Sequence, residues 1–152
     1  MKPYFDNAEK VARLQFHALE WIETPFMPNG CIKGAGVSCQ KLVGAIYREL
    51  GVLPANYEIP EGPMNWSNGQ TESLVEAAVL ELPNFQRLPD VHQPAPGDLL
   101  GIAIGGCIHH CGIVLGTDGK FIHCLRGPGV VLSSTRDASY LKRIEKIWRP
   151  ML

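Results

Sequence analysis

The sequence predicts an α+β fold in which N-terminal helices pack on an antiparallel β-sheet. The first half of the chain carries apolar residues at helical spacing, and the second half, from about residue 99, consists of short strand-like runs. Asp118-Gly119, a strong hairpin signal, separates two of these runs. Helices followed by strands in a chain of 152 residues indicate one domain over residues 1–152.

The first helix is predicted in NAEKVARLQFHALEWIET, where apolar residues recur at intervals of three and four. Asn7 is a suitable N-cap, and the helix should end at Thr24 because Pro25 disfavours a helical residue before it. The next segment, 24–36, contains two prolines and three glycines and is predicted to be an irregular loop. This loop leads directly into a second helix.

The second helix begins with a cysteine. Ser38 is a good N-cap, so Cys39 occupies the first helical position, and the apolar stripe that follows ends at Gly51. A helix N-terminus stabilises negative charge and therefore favours the nucleophilic thiolate. Cysteine is also among the most buried residue types. Cys39 is accordingly either a packed small side chain or an activated nucleophile, and its position alone does not decide between them.

Segment 52–68 is proline-rich and aperiodic, which predicts a surface loop or a lid beside a binding site. Trp66, within it, either lines a substrate groove or anchors the loop by packing. A third helix is predicted from Thr71 to about Glu81. The strand-like runs that follow are LLGIAI, HHCGIVLG, KFIHCL, GVVLSS and RIEKIW.

A reactive cysteine needs a base, and the predicted strands carry histidines. Alternation along IHHCGIVLG puts His110 on one face with Ile108 and Gly112, and His109 on the other with Cys111. Because glycine has no side chain, there is room beside His110. A histidine on a strand facing a thiolate on a helix is the arrangement of papain-like peptidases. A hydrogen-bonded structural role is the alternative for each histidine.

The stretch ALEWIETPFMPNGCIKGAGVSCQKLVGAIYRELG resembles the first motif of the NlpC family of cell-wall cysteine peptidases. APGDLLGIAI is similar to that family's Pro-Gly-Asp-Leu strand, HHCGIVLG to its His-Val-Gly-Ile-Tyr-Leu-Gly strand, and KFIHCLRGPGVVLSS to its Phe-Ile-His-Ala and Gly-Val strands. The four motifs occur in the family's order over about residues 14–134. The lead-in IKGAG most resembles members found in phage tails and gene transfer agents.

The resemblance implies a papain-like fold with Cys39 as nucleophile, His110 as general base and His123 as the third residue, which orients the base. It also implies hydrolysis of peptide bonds in the stem of peptidoglycan, typically beside a D-isoglutamyl residue, without a cofactor or a metal. A peptidoglycan stem peptide or muropeptide is therefore the expected partner, and phage tail proteins are a second expected class of partner.

The chain departs from the family's pattern at several positions. Ser38 stands where the family usually has aspartate, Gln40 and Lys41 where it often has Ser-Gly, and Phe26 where tyrosine is common. These departures keep the nucleophile and the base but bear on substrate preference and rate. The residues expected to contact the substrate are Phe26, Ser38, Gln40, Trp66 and His109.

The spacing of His110 and His123 in the sequence bears on whether their rings can come into contact. If Asp118-Gly119 formed a two-residue turn, His123 would lie opposite Val114, and His110 would be four residues further along, roughly 13 Å away. A bulge, a different register or strong twist is needed to bring the two rings together. Otherwise His123 is a neighbour of the site and not the orienting group.

Charge and composition exclude several function classes. A net charge of -1 and a pI near 6.5 leave no basic field for nucleic acid, and no segment approaches the ~18 apolar residues of a membrane span. MKPYFDNAEK lacks the apolar stretch of a secretory signal, so we expect synthesis in the cytoplasm and release in a virion tail, on lysis or by dedicated export. Five cysteines without an export signal indicate free thiols.

Two further classes of function stay open. One is a different role for the same fold. The domain would be either a catalytically degenerate wall-binding or structural module, or an amidase or acyltransferase that uses the same Cys-His pair. The other is a metal site, although strand alternation separates the ligand types and no Cys-x-x-Cys pair occurs. The residues that such a site would draw on are Cys107, His109, His110, Cys111, His123 and Cys124.

Overall fold

The structure, a computed structural model, describes residues 1–61, 73–104 and 107–152. Helices come first and antiparallel strands follow, which confirms the predicted α+β class. The elements in chain order are α1 (Ala8–Leu19), β1 (Cys31–Ile32), β2 (Gly36–Val37), α2 (Cys39–Glu49), α3 (Leu74–Leu80), β3 (Phe85–Arg87), β4 (Leu99–Ile104), β5 (Cys107–Val114), β6 (Lys120–Leu125), β7 (Gly129–Ser134), α4 (Ala138–Leu141) and β8 (Ile144–Pro150).

The main sheet has six antiparallel strands in the order β3-β8-β4-β5-β6-β7. Strands β4, β6 and β7 coincide with the predicted runs LLGIAI, KFIHCL and GVVLSS. The sequence did not indicate β3 or α4. The loop predicted over 24–36 was wrong in part, because Cys31 pairs with Val37 and Ile32 with Gly36 in the small β1–β2 hairpin.

Helix α1 ends at Leu19, five residues before the predicted end at Thr24. The amide of Thr24 bonds the carbonyl of Trp21 at 3.0 Å in a tight turn, and Glu23 has a φ of 71° in the left-handed region. The helix therefore stops at a turn that precedes Pro25. The predicted cap is confirmed, since the side chain of Asn7 accepts a hydrogen bond from the amide of Lys10 at 2.9 Å.

Helix α2 confirms the predicted placement of its first residue. The Ser38 hydroxyl accepts a hydrogen bond from the amide of Lys41 at 3.4 Å, so Cys39 begins the helix. The helix stops before Gly51, whose φ of 78° suits glycine. Helix α3 is capped by Ser73. Its predicted start, Thr71, lies outside the described residues.

Two apolar clusters flank the sheet. The larger cluster lies between α1, α2 and α3 and one face of the sheet, and it includes Leu14, Leu42, Ile46, Ile113 and Ile122. The smaller cluster lies on the opposite face and consists of Leu100, Ile102, Val114, Phe121, Ile144 and Ile147. No helix among residues 1–61, 73–104 and 107–152 is both long and apolar enough to cross a membrane.

The Pro-Gly-Asp-Leu segment at the start of β4 has a structural role. Asp98 is fully buried, and its two carboxylate oxygens accept hydrogen bonds from Arg149 at 2.8 Å each. The amide of Ala95 donates to the same carboxylate at 2.7 Å. The adjacent carbonyl of Gly97 accepts from the hydroxyl of Tyr47 on α2 at 2.9 Å. These contacts tie α2 and β8 to the strand that neighbours β5.

Candidate active site

A β-bulge in β5 sets the direction of the candidate base. The register between β4 and β5 shifts so that His109 is an extra residue on β5. Ile108 therefore lies in the larger apolar cluster with Cys111. Strict alternation had placed Ile108 on the face of His110, and that prediction was wrong because a bulge interrupts the two-residue period.

The register between β5 and β6 also differs from the simple expectation. It puts His123 opposite Gly112, whereas a two-residue turn would have put it opposite Val114. The connection spans four residues, 116–119, instead of two. His110 is consequently two residues from the position opposite His123, not four. A different register was one of the conditions under which the two rings could meet.

The two imidazole rings are in contact. Nε2 of His110 lies 2.8 Å from Nδ1 of His123. Gly112 provides the necessary space, since a Cβ atom there would lie 2.8 Å from the carbonyl oxygen of Ile122 and 3.3 Å from Cβ of His123. Because Nε2 of His110 faces His123, its Nδ1 is the ring nitrogen left to serve Cys39.

His123 is enclosed on its remaining sides. The ring is fully buried and packs against the rings of Phe121 and Tyr140, with centroids 4.6 and 5.3 Å away. Its Nε2 lies 2.7 Å from the hydroxyl oxygen of Ser133 on β7. Burial, aided by the charge of His110, lowers the pKa of His123 to about 3. This imidazole is therefore neutral near pH 7.

Cys39 lies where α2 meets β5 and β6, and 7 % of its surface is exposed. A hydrogen bond from the Cys111 thiol is the largest cause that holds the pKa of Cys39 well below that of a free thiol. Hydrogen bonding to His110, the positive charge of that ring and the backbone amide of Gln40 also lower the pKa of Cys39. Together these contacts outweigh the burial, which favours the neutral thiol.

Two further cysteines next to Cys39 stay protonated. The hydrogen bond to Cys39, burial and the charge of Cys39 raise the pKa of Cys111 well above its usual value. Burial and the same charge raise the pKa of Cys124 to about 12. The sulfur of Cys124 lies 3.3 Å from the carbonyl oxygen of Val37, just before α2. Of these three thiols, Cys39 is thus the one that ionises.

Sequence reasoning missed the roles of Cys111 and Ser133. It considered Cys111 only as a metal ligand. The signal that could have indicated its role is its position next to His110 in the sequence. Nothing in GVVLSS singles out Ser133, because its contact with His123 depends on the pairing of β6 with β7.

No family model and no curated protein matches this sequence. Solved structures do match. The NlpC/p60 domain of the peptidoglycan hydrolase SagA aligns with 90 % of this chain and 96 % of its own, at 20 % identity and a TM-score of 0.60. An NLP/P60 family protein similar to a lipoprotein, from Staphylococcus aureus, aligns with 100 % of this chain at 16 % identity and a TM-score of 0.66. An NlpC/P60 family protein from Bacillus cereus aligns with 93 % of it at 21 % identity and a TM-score of 0.65.

This chain has the NlpC/p60 fold. The aligned part of this chain spans 45 % of the Staphylococcus aureus chain and 40 % of the Bacillus cereus chain, so it corresponds to one part of each of those proteins. At identities of 16 to 21 %, the likeness shows the architecture. The chemistry has to be argued from the side chains of this chain.

Gln40, one of the residues expected to contact the substrate, lies close to the nucleophile. Its Oε1 is 3.3 Å from the sulfur of Cys39, and its side chain is partly exposed. Gln40 and Cys111 also line one end of an apolar cavity that continues to α3. Ser38, in contrast, is 4 % exposed and its hydroxyl caps α2. Substrate contact by either residue stays a prediction.

The other expected substrate contacts lie in different surroundings. Phe26 is partly exposed, and the guanidinium of Arg126 lies over its ring at 5.1 Å from the centroid. His109, the bulge residue, is buried. Trp66 lies outside the described residues. The structure thus brings Cys39, His110 and His123 together, while the expected contacts with substrate stay predictions.

The proposed metal ligands on β5 and β6 do not form a metal-binding group among the side chains that the structure describes. In that part of the chain, a group of three ligand atoms within 4.8 Å of one another occurs at His17, Glu20 and Glu49. The ammonium of Lys33 already lies 3.3 Å from Glu20 and 3.5 Å from Glu49. This group is an ion-pair network between α1, α2 and the first loop.

Proposed function

We propose that the protein is a cysteine peptidase that hydrolyses peptide bonds in the stem peptide of peptidoglycan. The observation that carries the proposal is the series of contacts from Cys39 at the start of α2 to His110 and on to His123. A thiol with a lowered pKa beside an imidazole is the arrangement that nucleophilic catalysis requires. The substrate class is supported by the fold, because one structure that shares it is named as a domain of a peptidoglycan hydrolase.

The geometry supports a two-step reaction. The Cys39 thiolate attacks the carbonyl carbon of the scissile bond, and the protonated His110 gives its Nδ1 proton to the leaving amine, which leaves a thioester on Cys39. Neutral His110 then takes a proton from water, and the resulting hydroxide attacks the thioester. The acid product leaves, and thiolate and imidazolium are regenerated. Atoms and protons balance without a cofactor.

The oxyanion of each tetrahedral intermediate needs hydrogen-bond donors. The amide of Cys39 in the first turn of α2 is one candidate, because the first amides of a helix have no intrahelical acceptor. The side-chain amide of Gln40 is the second, since it lies 3.3 Å from the sulfur. A half turn of this amide exchanges its oxygen for its NH₂ group, which would then donate towards the sulfur or the oxyanion.

Hydrolysis of a defined muropeptide by the purified protein tests the proposal. Mass spectrometry of the products identifies the bond that is cut. Cys39→Ala should abolish cleavage, whereas Cys31→Ala should preserve it, because Cys31 is a partly exposed free thiol on β1. Unchanged cleavage by Cys39→Ala would assign the activity to another residue. Absence of cleavage by a folded wild type would favour a degenerate wall-binding module.

An amidase or acyltransferase is the second candidate function, and the apolar cavity beside the nucleophile favours it. The cavity extends from Gln40 and Cys111 between α2 and α3, and its lining includes Val43, Tyr47, Val75, Val79, Leu82 and Phe85. Such a lining suits an aliphatic chain better than a charged stem peptide. Incubation with an acyl donor, followed by the intact mass of the protein, separates the two functions. A stable added acyl mass on Cys39 favours the transferase.

Release in a phage tail is the delivery route that we propose. The segment IKGAG, which resembles tail and gene-transfer-agent members, contains the turn of the β1–β2 hairpin and ends three residues before Cys39 in the sequence. Tail proteins would then be the protein partners, and the cytoplasm the site of synthesis. Mass spectrometry of purified particles from the source strain tests this route. Recovery of the protein only in cleared lysate, and never in particles, would contradict it.

A further inference from the structure

We propose that Ser133 is a positioning residue that accepts the Nε2 hydrogen of His123 and so stabilises the tautomer with which His110 can accept the proton of Cys39. The inference deepens the proposed function, because it concerns the same nucleophile and base. It assigns a fourth member to the series Cys39, His110 and His123.

Three side chains from three neighbouring strands form a continuous hydrogen-bonded row. Nε2 of His110 on β5 lies 2.8 Å from Nδ1 of His123 on β6. Nε2 of His123 lies 2.7 Å from the hydroxyl oxygen of Ser133 on β7. Both nitrogens of the buried His123 ring are thus in contact with named partners.

Proton counting fixes the direction of these hydrogen bonds. To accept a proton from Cys39, His110 must present a bare Nδ1 to the thiol and carry its own hydrogen on Nε2. That N–H points at Nδ1 of His123, which must therefore be an acceptor. A neutral His123 has a single N–H, which must then be on Nε2 and donate to the hydroxyl oxygen of Ser133.

The opposite tautomer would disable the base. If His123 carried its hydrogen on Nδ1, that N–H would donate to Nε2 of His110, which must then be bare. Neutral His110 would carry its own hydrogen on Nδ1, where it points at the sulfur of Cys39. After proton transfer from the thiol, the N–H groups of the two rings would face each other at a nitrogen separation of 2.8 Å. A serine hydroxyl can donate as well as accept, so the choice of tautomer is made by protonated His110, whose Nε2–H requires a bare Nδ1 on His123. Ser133 then accepts the remaining N–H of His123 and stabilises the productive tautomer.

The surroundings of His123 make an acceptor necessary. The ring is fully buried, and Phe121 and Tyr140 pack against it. A buried N–H without an acceptor is costly, whereas a serine oxygen at 2.7 Å satisfies it. Among the residues that the structure describes, His110 and Tyr140 are the titratable groups that face His123, and His110, Cys111 and Cys124 are those that face Cys39.

The chain offers a matched control on the same strand. Ser134 is the next residue of β7 and is also partly exposed, but its hydroxyl accepts a hydrogen bond from the amide of Arg136 at 3.1 Å. Replacing either serine by alanine removes the same atom. Replacement of Ser133 alone removes the acceptor of His123.

The test measures the rate of alkylation of Cys39 by iodoacetamide from pH 5 to 9, with mass spectrometry locating the label. At pH 6 we expect Ser133→Ala to react about tenfold more slowly than wild type, and Ser133→Thr and Ser134→Ala to react within about twofold of it. Loss of the acceptor should also move the midpoint of the profile to higher pH. Equal profiles for Ser133→Ala and wild type, or slowing by Ser133→Thr to the same extent, would overturn the assignment.

Nitrogen-15 spectra of the histidine rings give a second readout that needs no variant. We expect Nε2 of His123 to carry the hydrogen in the wild type. A hydrogen on Nδ1 would overturn the assignment even if Ser133→Ala failed to fold. Failure of the proposed function is distinguishable, because a protein that cleaves no muropeptide still reports its thiolate and its tautomer in both measurements.

Discussion

The thiols of Cys111 on β5 and Cys39 at the start of α2 interact with each other. This contact joins the first residue of α2 to the strand that carries His110, and it lowers the pKa of Cys39 while the pKa of Cys111 rises. The negative charge lies on Cys39 and not on Cys111, because the charge and the hydrogen bonding of His110 also stabilise the Cys39 thiolate. A residue that the sequence offered only as a metal ligand is therefore part of the environment that ionises the candidate nucleophile.

Replacement of Cys111 should slow the reaction of Cys39 at mildly acidic pH. Cys111→Ala removes a donor to the thiolate, so we expect alkylation at pH 6 to fall roughly tenfold and hydrolysis to fall with it. Cys111→Ser keeps a donor and should retain most of the rate. An alkylation profile of Cys111→Ala that coincides with that of wild type would show that the hydrogen bond does not lower the pKa of Cys39.

Gly112→Ala should separate the two histidine rings. The added Cβ would lie 2.8 Å from the carbonyl oxygen of Ile122 and 3.3 Å from Cβ of His123, so β5 and β6 must move apart. We expect a loss of about 1–3 kcal/mol in the free energy of unfolding and a fall of about a hundredfold in kcat/KM. Chemical denaturation and muropeptide kinetics measure the two effects. Wild-type kinetics in this variant would mean that the spacing of the rings is not needed for catalysis.

The buried neutral His123 should make stability depend on pH in a defined window. Its pKa is about 3 in the folded protein against 6.5 as the reference for the unfolded chain, so the unfolded state binds more protons between these values. The stabilisation is complete above the reference value and is lost as the pH falls towards 3. From pH 7.5 to 5 we expect His123 to account for a loss of about 2 kcal/mol.

Urea denaturation of wild type and His123→Asn at both pH values isolates that contribution. The variant should lose less stability than wild type over the same interval, whatever its stability at neutral pH. Parallel losses in the two proteins would show that His123 takes up no extra proton on unfolding.

Asp98→Asn should destabilise the fold without touching the nucleophile. The change leaves Arg149 opposite a neutral side chain in place of a fully buried carboxylate that it contacts twice at 2.8 Å. Breaking a buried pair in this way costs about 3–5 kcal/mol. Asp90→Asn is the matched control, because Asp90 is exposed and pairs with the exposed His92. Equal unfolding free energies for the two variants would contradict the structural role of Asp98.

Local sequence features determined several elements. Ser38 and Asn7 are caps because short polar side chains reach amides two or three residues ahead, and this depends only on neighbours in the chain. The apolar runs of β4, β6 and β7 were likewise readable. Cys39 at the helix start, with His110 and His123 on strands, could be named from sequence and from the resemblance to NlpC peptidases. Their catalytic roles stay predictions.

Only the tertiary structure decided how these residues meet. The bulge at His109 and the four-residue connection over 116–119 each depend on pairing between strands, and they set which side chains share a face. The approach of the two rings depends on the missing side chain of Gly112. Cys111 and Ser133 reach Cys39 and His123 from elements separated in sequence. Caps and propensities act over a few residues, whereas register and packing are settled by competition among contacts of the whole sheet, which a local pattern does not contain.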